Sequence, residues 1–385
     1  MTPTLLPNPL LDTAADLSAA SPSPFLPLRD SYGRAITDLR VSVTDRCNYR
    51  CVYCRTGNEG ALYSELPHEE YLRMIRLFVL LGVEKVRLTG GEPLLRAGLV
   101  ELVQELSTLR TLSGARLDLA LTTNGHLLEA LAQPLKDAGL TRITVSMDAV
   151  DAETFSAITR VPRSFDRVLA GIRAAQAVGL GPVKVNCVLL RGFNDSQIEA
   201  FADFSRREGV IVRFIEWMPL EEATETPTAT GTPAATGMIA RRWSPEAVVP
   251  LSEIVERLER YVPNGLASSG PQASSGLRAL TPNALSETAR RYTFADGLGE
   301  IGIIAPVSQP FCGHCSRIRL TSDGKIRTCL FSQTDHDLAG RMARGATDAE
   351  LMAYIRQVVD RKEARHHIGE PGFEKPSRSM VHIGG

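Results

Sequence analysis

The sequence predicts an α/β protein whose core is a partial (β/α)6 barrel. Between residues 36 and 217, short runs rich in β-branched residues alternate with amphipathic stretches of helical length. This alternation is typical of repeated βαβ units that form a parallel sheet. Six such units occupy about 180 residues, fewer than the roughly 250 residues of a complete eightfold barrel. We therefore expect an open, incomplete barrel.

The elements can be placed one by one. The predicted strands are Ile36–Thr44, Glu84–Thr89, Leu117–Leu121, Arg142–Ser146, Val183–Leu190 and Val210–Trp217. Helical periodicity predicts a helix that begins near Pro67, followed by Leu127–Asp137, Phe165–Ala177 and Ser196–Glu208. Closer to the C terminus, Thr347 and Glu350 have the spacing of a capping box, which predicts one more helix with Leu351, Ile355, Val358 and Val359 on one face.

Composition divides the chain into four regions. Residues 1–28 are rich in Pro, Ser, Ala and Leu without periodicity, so we expect a disordered arm. Residues 29–220 carry the barrel, and residues 221–276 contain two low-complexity stretches, 221–237 and 263–276, which predict an insertion or linker. Residues 277–385 form a C-terminal extension, which contains the second group of cysteines described below, ends in a diglycine tail and is expected to hold an auxiliary metal cluster and to bind substrate.

Charge and hydropathy exclude several classes of protein. The 385 residues include 43 basic and 44 acidic side chains, so no overall positive field indicates a nucleic-acid partner. No apolar run approaches the roughly 18–20 residues that a membrane span requires. Residues 1–28 contain no Lys or Arg, unlike a secretory signal. We expect a cytoplasmic protein without a membrane partner.

Six of the seven cysteines form two groups of three. In a long chain without an export signal, such groups predict metal ligands rather than disulfides. The first group has the spacing C-x3-C-x2-C and follows the first predicted strand, at Cys47, Cys51 and Cys54. Three thiolates can hold three irons of a [4Fe–4S] cluster and leave the fourth open. Zinc is the competing metal, but a structural zinc site needs four ligands.

The second group consists of Cys312, Cys315 and Cys329, with the spacing C-x2-C-x13-C. Its residues allow two interpretations. They could hold a second [4Fe–4S] cluster with an open iron. Alternatively, His314 or His336 could complete a zinc site, because three cysteines and one histidine form a common closed set.

The first cysteine motif, together with Gly90-Gly91-Glu92-Pro93 after the second strand, resembles the signatures of the radical S-adenosylmethionine superfamily. The resemblance implies that S-adenosylmethionine binds the open iron and yields a 5′-deoxyadenosyl radical. The cofactor then carries the difficult chemistry, and the protein supplies binding and orientation.

Several further segments resemble the GTP 3′,8-cyclase family, over about Leu39 to Gly385: DRCNYRCVYC, VRLTGGEPLLR, TTNG, ITVSMDAVD, VKVNCVLL, RFIEWMP, FCGHCSRIRLTSDGKIRTCLF and the closing Gly384-Gly385. This resemblance implies the first reaction of molybdenum cofactor biosynthesis. The radical would remove the hydrogen from C3′ of GTP, and C3′ would then add to C8 of guanine.

The resemblance also implies residue roles. Cys47, Cys51 and Cys54 would hold the first cluster, and S-adenosylmethionine would contact Tyr53, Gly91, Ser146 and Met218. The second cluster would use Cys312, Cys315 and Cys329. The residues for GTP would be Arg40, Arg87, Thr122, Lys184, Arg317 and Arg319, the last two being catalytic as well.

The implied partners are an electron donor such as flavodoxin or ferredoxin and a cyclic pyranopterin monophosphate synthase that consumes the product. A homodimer is compatible with this family. Two alternatives remain at this point. One is another radical S-adenosylmethionine enzyme with an auxiliary cluster, such as a peptide maturase. The other is a non-catalytic iron–sulfur or zinc protein.

Overall fold

The computed structural model describes residues 26–54, 62–220, 243–262, 276–376 and 378–383. Most of the predicted N-terminal arm, the low-complexity stretch 221–237, residues 263–275 of the second stretch and Gly384-Gly385 lie outside the described residues. At the start of the described chain, Leu28 is buried and its amide donates a hydrogen bond to the carbonyl of Leu81.

All six predicted strands are confirmed; the fourth has the predicted bounds, the third ends two residues later than predicted, and the other four are shorter. They are β1 (Asp38–Ser42), β2 (Lys85–Thr89), β3 (Asp118–Thr123), β4 (Arg142–Ser146), β5 (Lys184–Leu189) and β6 (Ile211–Glu216). The helices between them are α1 (His68–Leu80), α2 (Leu99–Thr108), α3 (Leu128–Asp137), α4 (Ala152–Thr159), α5 (Phe165–Ala177) and α6 (Ile198–Glu208).

Among the described residues, the C-terminal half adds six short strands and four α-helices. They are α7 (Leu251–Arg260), β7 (Arg278–Leu280), β8 (Arg290–Thr293), β9 (Glu300–Ile304), β10 (Arg317–Leu320), β11 (Lys325–Arg327), β12 (His336–Asp337), α8 (Ala339–Ala343), α9 (Asp348–Asp360) and α10 (Met380–Ile383).

The helices follow the sequence signals that predicted them. In α1 the side chains of Tyr71, Met74, Ile75 and Phe78 are buried on one stripe. The capping box of α9 is confirmed, because Thr347 accepts from the amide of Glu350 and Glu350 accepts from the amide of Thr347. Our prediction did not include α2, α4, α7, α8 and α10. The signal for α2 was present, since its buried residues have helical spacing: Leu99, Leu102, Val103 and Leu106.

The described strands form one sheet in the order β12-β11-β10-β1-β2-β3-β4-β5-β6-β9-β8-β7. Strands β1 to β6 are parallel and lie in chain order, as a partial (β/α)6 barrel requires. The C-terminal chain extends this sheet at both edges, since β10 pairs with β1 and β9 pairs with β6, both in parallel. The sequence predicted a C-terminal extension of the barrel, but not that its strands continue the sheet at both edges.

None of the described helices is long and apolar enough to cross a membrane.

Candidate active site

The two cysteine groups lie at opposite ends of the parallel strands. Cys47 follows the carboxyl end of β1, whereas Cys312 and Cys315 precede the amino end of β10, the parallel neighbour of β1. Cys329 follows β11, which runs antiparallel to β10, so it returns to the same end as Cys315. The two groups therefore lie at opposite ends of the partial barrel, separated by the length of its strands.

A cavity of about 530 Å³ occupies the space inside the strands. It is lined by eleven of the residues predicted for the site: Arg40, Tyr53, Arg87, Thr122, Lys184, Met218, Cys312, Cys315, Arg317, Arg319 and Cys329. The other predicted residues are not among those that line it: Cys47, Cys51, Cys54, Gly91 and Ser146. The cavity reaches the second cysteine group directly and the first one through Tyr53.

Strand register explains why basic side chains converge there. Arg40 of β1 lies opposite Arg87 of β2 on one side and Arg319 of β10 on the other. Alternate residues of a strand point to the same face. The neighbouring inward row is therefore Arg317, Asp38, Lys85 and Asp118. Strands β1, β2 and β10 thus each contribute side chains to two successive layers of the cavity.

The cavity is strongly basic, with nine Lys or Arg and five Asp or Glu side chains among its described lining residues. Burial, followed by the repulsion of neighbouring arginines, lowers the pKa of Arg87 to about 10, that of Arg213 to about 9 and that of Lys184 to about 8. Burial and the charge of Arg40 lower the pKa of Arg319 to about 9. These cations destabilise one another, and an anion between them would relieve that repulsion.

Neutral partners hold the arginines in place. Arg87 donates to the hydroxyls of Thr122 and Thr144 at 3.1 and 3.2 Å, and Arg213 donates to Thr144 and Asn186 at 3.2 and 2.9 Å. A guanidinium has five N–H donors, so these contacts leave donor capacity for a ligand. The Nε atom of Arg40 is buried and has no hydrogen-bond partner in the described structure. Such a donor set fits a phosphate-bearing ligand.

Sequence reasoning missed Arg213, Arg142 and Lys85, which also line the cavity. A signal for Arg213 was present in the segment RFIEWMP. Val212 and Phe214 are buried on the opposite face of β6, so the alternation places Arg213 on the inward face.

The GGEP segment packs against the start of the first cysteine loop. Gly90 has a φ of +148°, and a Cβ there would lie 2.3 Å from the carbonyl oxygen of Thr44. A Cβ on Gly91 would lie 2.3 Å from the carbonyl oxygen of Arg46, next to Cys47. The amides of Gly91 and Glu92 donate to these same carbonyls at 2.8 and 2.7 Å. Both glycines are therefore required by a close approach of two backbones.

Glu92 connects this turn to the loop after β3. Its buried carboxylate accepts from the amide of Leu94 at 2.9 Å and from the hydroxyl of Thr123 and the amide of Asn124, both at 2.6 Å. Asn124 in turn donates to Asn48, inside the cysteine loop, at 2.7 Å. Burial raises the pKa of Glu92 to about 7, against the opposing effect of its three donors. Sequence reasoning assigned this residue no role of its own.

Asp148 holds Tyr53, which lies between two cysteines of the first group. The hydroxyl of Tyr53 donates to Asp148 at 2.7 Å, and the same carboxylate accepts from the amide of Val188 at 2.8 Å. Burial raises the pKa of Asp148 to about 6. The first loop is thereby fixed to β5 on one side and, through Asn48, to the loop after β3 on the other.

The second cysteine group lies in a basic environment. Burial opposes ionisation of the Cys315 thiol, but the charges of Arg317 and Lys362 lower its pKa to about 6. The guanidinium of Arg317 donates to the sulfur at 3.4 Å and lies 4.9 Å from the ring centre of Phe311. These cations favour the thiolate, which is the form that binds iron or zinc.

Within the described residues, no three Cys, His, Asp or Glu side chains are arranged around a common point as ligands of a single metal ion. His314 lies in the same short turn as Cys312, and His336 lies on β12 beside a second cavity of about 520 Å³. The sulfurs of each cysteine group are close enough to influence one another electrostatically. Burial is the largest cause that raises the pKa of Cys51, and Asp148, Cys54 and Cys47 raise it further. Burial also raises the pKa of Cys312, and Cys329 and Cys315 add to that effect. Three neighbouring thiols on one loop fit the corners of a cubic iron–sulfur cluster.

Comparison with known proteins agrees with this geometry. Residues 41–205 match the family model of the radical SAM superfamily, and residues 210–368 match the model described as Molybdenum Cofactor Synthesis C. A GTP 3′,8-cyclase of Acidothermus cellulolyticus is 41% identical over 87% of this chain and 85% of its own length. The chain belongs to the GTP 3′,8-cyclase family. Another relative of that name, from Moorella thermoacetica, is 39% identical over 93% of this chain and 100% of its own.

Membership of this family also places the chain among the radical SAM enzymes, which use an iron–sulfur cluster and S-adenosylmethionine. The solved structure of Streptococcus suis SuiB bound to S-adenosylmethionine covers 90% of this chain and 78% of its own, with a TM-score of 0.53 and 14% identity. That likeness concerns the fold alone, and it agrees with the predicted α/β architecture.

Proposed function

We propose that this protein converts GTP to 3′,8-cyclo-7,8-dihydro-GTP as the first step of molybdenum cofactor biosynthesis. The observation that carries the proposal is the basic cavity between two cysteine groups at opposite ends of the parallel strands. The relatives of this name, each aligned over most of both chains, support the same activity.

The inward layers of cations suit the triphosphate of GTP. Arg40, Arg87 and Lys184 lie on β1, β2 and β5, and Arg213 lies on β6 beside Lys184. Arginine forms paired hydrogen bonds to phosphate oxygens, which fix orientation as well as supply affinity. We include Arg213 in this set because its inward position equals that of the predicted residues.

The first cysteine loop would hold a [4Fe–4S] cluster through Cys47, Cys51 and Cys54, and the bound cluster with S-adenosylmethionine would supply the 5′-deoxyadenosyl radical that takes the C3′ hydrogen. The protein's own contribution is orientation. Tyr53 borders the substrate cavity beside this loop, and its hydroxyl is fixed by Asp148. Gly91, Ser146 and Met218 remain our predicted contacts of the cofactor.

At the other end of the cavity, Cys312, Cys315 and Cys329 would hold a second [4Fe–4S] cluster, whose open iron would face the guanine base. Arg317 and Arg319 lie beside this group and on the inward face of β10. They would hold the base and ribose so that C3′ and C8 meet. The positive charge of both arginines also suits a reaction that draws electron density towards the base.

The proposed partners follow from this chemistry. A one-electron donor such as flavodoxin or ferredoxin would reduce the first cluster, and cyclic pyranopterin monophosphate synthase would consume the product. We propose a cytoplasmic enzyme, and a homodimer is compatible with this function.

Anaerobic reconstitution tests the proposal. The protein should bind about eight irons per chain as two cubanes. With a reductant it should cleave S-adenosylmethionine and convert GTP to a product that oxidises to a fluorescent pterin. GTP labelled with deuterium at C3′ should transfer the label to 5′-deoxyadenosine, whereas GTP labelled at C2′ should not.

Two results would contradict the proposal. Binding of about four irons together with one zinc would remove the second cluster. Cleavage of S-adenosylmethionine without any change to GTP would favour the peptide maturase alternative.

A further inference from the structure

A turn that precedes β1 connects to the second cysteine group through the side chain of Arg34. In this turn the carboxylate of Asp30 accepts from the amides of Tyr32 and Arg34, both at 3.0 Å, and Gly33 has a φ of +77°. The same carboxylate accepts from Nε of Arg34 at 2.5 Å. The side chains of Asp30 and Arg34 are 0% and 7% exposed, so this turn fixes the direction of the guanidinium.

The guanidinium of Arg34 joins two separate segments of backbone. Its Nη1 atom donates to the carbonyls of Cys312 and Ala364, both at 2.8 Å. Its Nη2 atom donates to the carbonyl of Glu363 at 2.6 Å. Three carbonyls from two segments thus share one planar donor group.

The segment 362–366 also contacts the other part of the cysteine group. The ammonium of Lys362 donates to the carbonyl of Thr328, the residue before Cys329. The hydroxyl of Thr328 donates to the carboxylate of Glu363 at 2.7 Å. Arg34 therefore links Cys312 to the segment that holds the backbone next to Cys329.

We propose that Arg34 is a positioning residue that sets the separation between Cys312 and Cys329 for the second cluster. The inference rests on the proposed function, because that cluster is part of it. A cubane requires three sulfurs at a fixed spacing. Lysine would keep the charge of Arg34 but lacks the planar fork that reaches carbonyls on both segments at once.

The test compares Arg34→Lys with Arg191→Lys. Arg191 is a matched control because it also joins backbone carbonyls, those of Glu246 and Val248, to a carboxylate, that of Glu253. It forms no hydrogen bond with either cysteine group in the described structure. Iron, sulfide and the reduction potential of each cluster are measured after anaerobic reconstitution, together with reductive cleavage of S-adenosylmethionine in the absence of GTP.

We expect Arg34→Lys to lose about half of the iron, or to shift the potential of the second cluster alone, with cleavage of S-adenosylmethionine unchanged. That retained cleavage shows that the variant is folded. The inference is overturned if Arg34→Lys keeps the iron and both potentials of the wild type, if it loses both clusters, or if Arg191→Lys shows the same loss. If the wild type itself binds only about four irons, the second cluster of the proposed function fails and this inference fails with it.

Discussion

Gly91 lies where the chain before the first cysteine loop passes closest to the GGEP turn. A Cβ at this position would lie 2.3 Å from the carbonyl oxygen of Arg46 and 2.8 Å from that of Asp45. We predict that Gly91→Ala moves Cys47 and lowers iron binding at the first site and reductive cleavage of S-adenosylmethionine at least tenfold. Iron analysis and measurement of 5′-deoxyadenosine check this prediction.

Gly313→Ala serves as the control for that substitution. Gly313 lies between Cys312 and Cys315, and a Cβ there would have no neighbour within 4 Å among the described residues. The control should keep the iron content of the wild type. Equal loss in both variants would mean that close packing at Gly91 is not the cause.

Lys184 gives substrate binding a dependence on pH. Burial, with the neighbouring charges of Arg213, Arg142 and Arg87, lowers its pKa to about 8, so the free site loses this charge as the pH rises through that value. A bound triphosphate favours the charged form, so GTP affinity should fall with rising pH. Linkage predicts that the Kd for GTP rises about fourfold between pH 7 and pH 8.5.

Calorimetric titration of the reconstituted protein measures this change. Lys184→Met should bind GTP more weakly at pH 7 and should lose most of the pH dependence. A slope in the variant equal to that of the wild type would assign the titration to another group.

Residue identity alone could not separate inward from outward cations. Arg40, Arg87 and Lys184 were predicted from the family resemblance, and the structure places all three around one cavity. Arg213 has the same inward position, but the sequence analysis assigned it no role. The alternation within β6 indicates the direction of its side chain, whereas its position beside Asn186 of β5 depends on pairing between distant residues.

At the scale of elements, Glu92 joins two segments that carry the first site. Its carboxylate receives three hydrogen bonds, one from Leu94 just after the GGEP turn and two from Thr123 and Asn124 at the end of β3. In Glu92→Gln one acceptor oxygen becomes a donor that faces another N–H or O–H group. We predict a loss of about 1–3 kcal/mol in the free energy of unfolding and weaker iron binding at the first site.

Glu216→Gln is the matched control for this effect. Glu216 is a buried carboxylate that accepts from the amides of Leu251, Val307 and Ser308, so its loss should cost a similar free energy. It makes no hydrogen bond to the first cysteine loop in the described chain. Denaturant unfolding and iron analysis should show destabilisation in both variants but loss of first-site iron in Glu92→Gln alone.

Elements differed in how far the sequence revealed them. Strands β1 to β6 could be predicted because each is a short β-branched run between helix-length segments. Strand β10 could not, since its four residues, Arg317 to Leu320, include two arginines. Its strand character comes from pairing with β1, which lies far away in the sequence. Local patterns carry no information about such a pairing.

At the scale of the whole molecule, the C-terminal chain completes the sheet on both sides. Without β9 and β10, the outer edges of β6 and β1 would expose unpaired backbone groups. We predict that residues 26–220 expressed alone do not form a stable monomer, because parallel strands need cover at their edges and faces.

Size-exclusion chromatography and thermal unfolding of this fragment check the prediction against the full chain. Aggregation, or the lack of a cooperative transition, is the expected outcome. A soluble monomer that unfolds cooperatively would instead make residues 29–220 an independent domain, as the boundaries predicted from composition suggest.

The pairing of β1 with β10 also has a consequence during synthesis. The ribosome makes β1 early, but the outer neighbour of β1 emerges only when residues 317–320 leave the exit tunnel. Until then the nascent protein has its first cysteine loop but lacks the residues of β10 that line the basic cavity. Translation therefore produces the first cysteine group before Cys312, Cys315 and Cys329, and before the residues of β10 that pair with β1.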